Sequence, residues 1–220
     1  MFVRRFARKH LDIADLLSEA VEAVYMVVII GGYVALSNLS SQYLYIVEVN
    51  IGACIGWGVI DGLAYILSNA ADRGIQVDLI KKIQSEQSSE KSAYDVIEEF
   101  DGTYLSNLSD DAKKKIAGEI SGDLTGISVK KGRFVTKEDI AGFASIIGIY
   151  LAAGIVLSLP YLILPNKLHA WFFSNMIGTI WLFFFGYRVA KITGGKRVLI
   201  GLLTAGAGLL FLVISYRIWP

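Results

Sequence analysis

Asp61 lies in GWGVIDGLAYILSN, a run that is otherwise almost wholly apolar. An ionised carboxylate near the middle of a bilayer costs about 2.5 to 3.5 kcal/mol, so a carboxylate placed there has either a partner or a task. On a helix Asn50, Cys54, Trp57, Asp61 and Tyr65 follow one another at steps of four, three, four and four, and therefore share a side. Lipid offers polar groups no hydrogen-bond partner, which turns that side inward. Gly58 and Gly62, like Gly52 and Gly56, have the small-xxx-small spacing that admits a second helix at close range. Upstream, Glu19, Glu22 and Met26 share a helix face at steps of three and four. At about 1.5 Å rise per residue, Glu22 and Asp61 reach similar depths on antiparallel helices and can meet. Carboxylates gathered there repel one another until protons or a cation neutralise them. Oxygen donors with an optional thioether suit a divalent ion such as Fe²⁺ or Mn²⁺. Plainer readings stand beside these: Asp61 as a protonated lock between helices, Glu19 as a membrane-edge residue favoured by the helix dipole, and Met26 as core filling.

Other chemistry finds little support. His10 and His169 are isolated, and the single cysteine has neither a disulfide partner nor a CxxC companion. No Ser-His-Asp order, Walker loop or HExxH is present, so no enzyme and no permanently bound cofactor is expected. Asp95, Glu98, Glu99 and Asp101, with Glu86 and Glu90, offer carboxylates to a metal or simply form the solvated face of a helix. Glu48 reads as a residue snorkelling to the headgroups. The N-x-S triplets at Asn38 and Asn107 read as chance, one at the membrane edge and one in the expected cytoplasm.

The elements that must position these residues follow from the composition. With 54% hydrophobic residues and a mean hydropathy of +0.53, the chain is expected to be an all-α membrane protein. Five stretches, about 18–39, 43–69, 140–164, 169–188 and 197–217, are long enough to span about 30 Å of hydrocarbon. Residues 1–69 then hold a cytoplasmic N-terminus and two transmembrane helices, 70–138 a cytoplasmic helical insertion, and 139–220 three more helices. The basic start MFVRRFARKH is followed by Asp12, Asp15, Glu19 and Glu22 and no cleavage site, and reads as a retained cytoplasmic end. Arg4, Arg5, Arg8 and Lys9, with Arg188, Lys191, Lys196 and Arg197, fall on one side, against Lys167 and Arg217 on the other. That bias puts the N-terminus inside and the C-terminus outside. The 21 basic and 20 acidic residues nearly balance, and no nucleic-acid partner is expected. Within 70–138, IQVDLIKKIQSEQ and SAYDVIEEF read as separate short amphipathic helices. Ser109 reads as the N-cap of DDAKKKIAGEI, and Thr136 with Asp139 as a capping box opening the third span. Gly122, Gly126 and Gly132 mark a looser connection.

Two spans, an inserted helical block and three further spans resemble the vacuolar iron transporter family. The segments that carry the likeness are IIGIYLAAGIVLSLPYLILP and FFFGYRVAKITGGKRVLIGLLTAGAGLLFLVISYRI. DLLSEAVEAVYMVVIIGGY and NIGACIGWGVIDGLAYILSN are similar to a divergent prokaryotic branch with Ser-Glu and Trp-Gly-x-x-Asp-Gly signatures. The resemblance implies export of Fe²⁺ or Mn²⁺ from the cytoplasm against protons, by a homodimer whose first spans line the pathway; the expected location is the cell membrane. It implies that Glu19 or Glu22 is the acidic ligand of the first span and Asp61 the carboxylate of the second. Tyr65 stands where those transporters carry a methionine, and 70–138 holds no clear equivalent of their glutamate-rich metal site. The alternative class is a membrane scaffold whose cytoplasmic block recruits a protein partner, with Asp61 only locking helices.

Overall fold

A computed structural model of the chain describes residues 11–36, 43–85, 89–100, 103–129 and 133–218. Among the described residues all regular structure is helical, with seven α-helices and no strand. They are α1 (Ile13–Leu36), α2 (Tyr43–Ser85), α3 (Ser89–Glu98), α4 (Asp110–Thr125), α5 (Lys137–Ile163), α6 (Lys167–Thr193) and α7 (Arg197–Ile218). A 3₁₀ turn, Tyr104–Asn107, lies between α3 and α4. Three of the helices, α2, α5 and α6, are long and apolar enough to cross a membrane, and α7 adds the shorter apolar stretch Arg197–Leu210. The chain divides into two compact units, Met1–Ile66 with Lys137–Pro220, and Leu67–Thr136.

The first unit is built from α1, the start of α2, and α5 to α7. Its core is small and tightly fitted: Ala23, Val24 and Val27 of α1 meet Cys54 of α2, Ile146, Tyr150 and Leu157 of α5, and Leu182 of α6. A second cluster joins Val34, Ile46, Tyr161 and Ala170. The opposite faces of these helices are apolar as well: Leu63, Ile155, Leu159, Phe172, Phe184 and Leu202 are all exposed. Water-soluble bundles put polar residues there, so this surface is one that lipid would cover. Asp12 accepts a hydrogen bond from the Asp15 backbone N–H at 2.8 Å and caps α1. At the far end of α6, Gly194 takes a left-handed conformation at φ 76°, which closes the helix before the turn into α7.

The second unit consists of the end of α2 with α3, the 3₁₀ turn and α4, around Leu79, Ile83, Val96, Phe100, Ile116 and Ala117. Ser109 is the N-cap of α4, accepting from the Ala112 N–H at 3.4 Å, as its place in the sequence suggests. Two expectations are corrected. IQVDLIKKIQSEQ forms no separate helix: α2 runs unbroken to Ser85, because SNAADRG contains no proline and its one glycine costs only about 1 kcal/mol in a helix. Gly122 lies inside α4, and Gly126 supplies its C-cap. Residues 1–10, Asn38 and Gly132 lie outside the described residues. α5 starts at Lys137, with Glu138 and Asp139 in its first turn and Thr136 directly before it.

Candidate functional site

Asp61 is half-buried on α2, and its partner comes from α5: the Tyr150 hydroxyl donates a hydrogen bond to one Asp61 carboxylate oxygen. The glycines around Asp61 make that approach possible. A methyl group at Gly58 would lie 3.1 Å from the Ile147 Cα and 3.3 Å from the Tyr150 Cβ, and one at Gly62 would lie 2.6 Å from the Phe143 ring. The Gly58 and Gly62 spacing therefore serves packing against the third apolar segment. By contrast, among the described residues nothing lies within 4 Å of the corresponding positions at Gly52 and Gly56.

The first helix brings its carboxylates to the same region. Glu19 is within electrostatic range of Asp61, Glu22 and Asp15. One Glu19 oxygen, Oε2, is buried and has no hydrogen-bond partner among the described residues. Glu22 is exposed and accepts from the Ser18 hydroxyl at 3.4 Å. Met26 packs against the core cluster of α1, α2, α5 and α6. Among the described residues no three Asp, Glu, His or Cys side chains gather closely enough to hold one metal ion. What the arrangement provides is a carboxylate–phenol pair with a second, unsatisfied carboxyl nearby. Such a group can take up a proton or lend oxygens to a passing cation.

The stripe on α2 is inward with one exception. Asn50 is buried, and its Nδ2 donates to the Ser158 hydroxyl of α5 at 3.1 Å, while its Oδ1 has no partner among the described residues. Cys54 is fully buried, and a methyl at Gly154 would lie 2.5 Å from its Sγ. The Tyr65 ring fills the space over Gly142. Trp57, however, is 47% exposed and does not belong to the inward face. At about 100° per residue, Trp57 stands roughly 85° round the helix from the mean direction of Cys54, Gly58, Asp61, Gly62 and Tyr65. Grouping by polarity placed it with the others, and the glycines show where the face is centred.

Tyr150 is the functional candidate that reading the α2 and α1 segments missed. A signal was available: on α5 the buried Gly142, Tyr150, Gly154 and Ser158 are small or polar and follow at helical steps. In the second unit Asp95 pairs with Lys82 at 2.7 Å, and Glu98 and Glu99 are exposed. Glu86, Asp101 and the side chain of Glu90 lie outside the described residues. Compared with protein-family models and with curated proteins, the chain matches none.

Proposed function

We propose that the chain is a membrane transporter that carries a divalent metal ion such as Fe²⁺ or Mn²⁺ out of the cytoplasm in exchange for protons. Glu19, Glu22 and Asp61 are its intramembrane carboxylates, and Tyr150 holds Asp61 in one orientation. In this reading α1, the apolar part of α2, and α5 to α7 are five spans, with the N-terminus inside and the C-terminus outside. Residues 70–138, which include the end of α2, are a cytoplasmic helical insertion, and the protein works as a homodimer in the cell membrane. The observation that carries the proposal is the Glu19 oxygen, which is buried without a partner among the described residues and within electrostatic range of Asp61. Two carboxyls in low-dielectric surroundings favour a shared proton or an added cation. With no three acidic or thiol donors converging among the described residues, water would complete the shell of a bound ion. Loose coordination suits a cargo that has to leave again.

A second reading is supported by the close fit of Gly58 and Gly62 on α5, which makes the Asp61–Tyr150 bond a lock between helices in a membrane scaffold. Proteoliposomes separate the two. Under a proton gradient, Mn²⁺ or Fe²⁺ flux by the wild type, lost to the level of empty liposomes in Asp61→Asn and Glu19→Gln chains that remain folded, supports transport. Absence of both flux and metal binding in the folded wild type sinks it and leaves the scaffold.

A further inference from the structure

A cavity of about 470 Å³ lies between α1, α6 and α7, apart from the Asp61–Tyr150 pair. Leu17 and Val21 of α1, Val189 and Ile192 of α6, and Ile200 of α7 make most of its wall apolar. Into this wall α1 sets Glu22, which among the described residues is the one charged side chain of the lining. Tyr25, one helical turn further on the same face, also lines the cavity. Its hydroxyl donates to the Thr204 carbonyl at 2.5 Å, which fixes the ring and ties α1 to α7 at that end. Gly186 on α6 faces the Thr204 side chain at the same end, where an added methyl would overlap the Thr204 Oγ1. The basic residues flanking and within the α6–α7 turn, Lys191, Lys196 and Arg197, are exposed and absent from the lining.

The size is that of a pocket for a small organic molecule, about 300 to 1,000 Å³. Three classes of occupant are disfavoured by the lining. A bare metal ion needs several oxygen donors, and the wall supplies one carboxylate, the Ser18, Thr193 and Thr204 hydroxyls of the lining each already donating within their own helix. An anionic amphiphile would meet the Glu22 charge at close range. A neutral lipid tail would fill the apolar part and leave the carboxylate without a counter-ion. A lipophilic cation satisfies both features: its hydrocarbon replaces water along the wall, its charge pairs with Glu22, and the Tyr25 ring offers an aromatic face. We propose that this cavity is a binding site for a lipophilic organic cation, with Glu22 as its counter-ion. The proposal does not rest on metal transport, and it gives Glu22 a second role, as counter-ion, beside its place among the three carboxylates of α1 and α2.

The probes are tetraphenylphosphonium and tetraphenylborate, close in size and opposite in charge, measured by equilibrium dialysis against the purified full chain in detergent. No metal and no proton gradient is present, so a chain that fails to transport still tests the site. The expected result is saturable phosphonium binding by the wild type, about tenfold or more tighter than borate, the worth of one partly desolvated ion pair. Glu22→Gln removes that preference, and Val189→Trp, which fills the cavity and keeps the carboxylate, removes binding of both. Equal binding of the two probes, no saturable binding, or an unchanged preference in Glu22→Gln overturns the proposal. The wild-type comparison of the two probes needs no variant, so it stands if a substituted chain does not fold.

Discussion

At the scale of the residue, the Asp61–Tyr150 pair separates two things that one aspartate can do. If the bond mainly holds helices together, Tyr150→Phe lowers stability by about 0.6 to 2 kcal/mol, the usual worth of a hydrogen bond between membrane helices, and no more is lost. If the carboxylate is a carrier, the same variant also changes the pH dependence of flux, because the phenol no longer donates to Asp61. Stability by detergent-phase denaturation and flux against pH, measured on one preparation, distinguish the two. In the second unit the Lys82–Asp95 pair is expected to contribute at most about 1 kcal/mol, since the Lys82 side chain is 57% exposed and salt screens it. Asp95→Asn measured in low and high salt checks that figure. Asp61, Glu19 and Glu22 were legible in the sequence because charge in an apolar run is conspicuous. Tyr150 was not, because a tyrosine among apolar residues is ordinary until a carboxylate is found opposite it.

At the scale of the element, the glycines of α2 fall into two sets with different expected consequences. Gly58 and Gly62 face α5 at close range, so Gly62→Leu strains the packing and is expected to destabilise the chain by about 1 to 3 kcal/mol. A Cβ at Gly52 or Gly56 meets nothing within 4 Å among the described residues, so Gly52→Ala and Gly56→Ala are expected to leave the stability unchanged. If these positions lie in the proposed homodimer interface, they shift the oligomeric state, read by crosslinking in detergent. A coupled pair gives a sharper test. Gly154→Ala puts a methyl against the Cys54 sulfur and is expected to cost about 1 to 3 kcal/mol alone. Added to Cys54→Ala it is expected to cost markedly less, and a double-mutant cycle measures the difference. Sequence spacing revealed that α2 offers close-packing positions. It did not reveal which neighbour uses them, because small-xxx-small spacing is the same whichever helix approaches. The unbroken course of α2 was also hidden: polarity changes near residue 69, while the backbone has no reason to stop there.

At the scale of the whole molecule, the described residues form an all-helical chain in two units, with three helices suited to crossing a membrane. The composition announced the helical and apolar character, because hydropathy sums over many residues and tolerates errors at any one of them. The boundaries expected at 69/70 and 138/139 were drawn where polarity changes, whereas the compact units divide at 66/67 and 136/137, where packing changes. The five-span arrangement with the N-terminus inside makes a topological prediction. Single cysteines placed at Lys196 and at Asn166, one at each end of α6, are expected to react with an impermeant maleimide from opposite sides of the membrane, Asn166 from outside. Labelling of both positions from the same side of intact cells rules that arrangement out.

Such experiments inherit an advantage from the fit of Cys54 over Gly154. The chain has no other thiol, and this one is wholly enclosed between α2 and α5. In the closed form it is silent toward alkylating reagents, so introduced cysteines can be scored against a blank background. When the seam between the two helices parts, the rate at which the thiol is consumed follows how often it opens. The native sequence thus carries its own clock for the motion that exchange of an ion at Asp61 would demand.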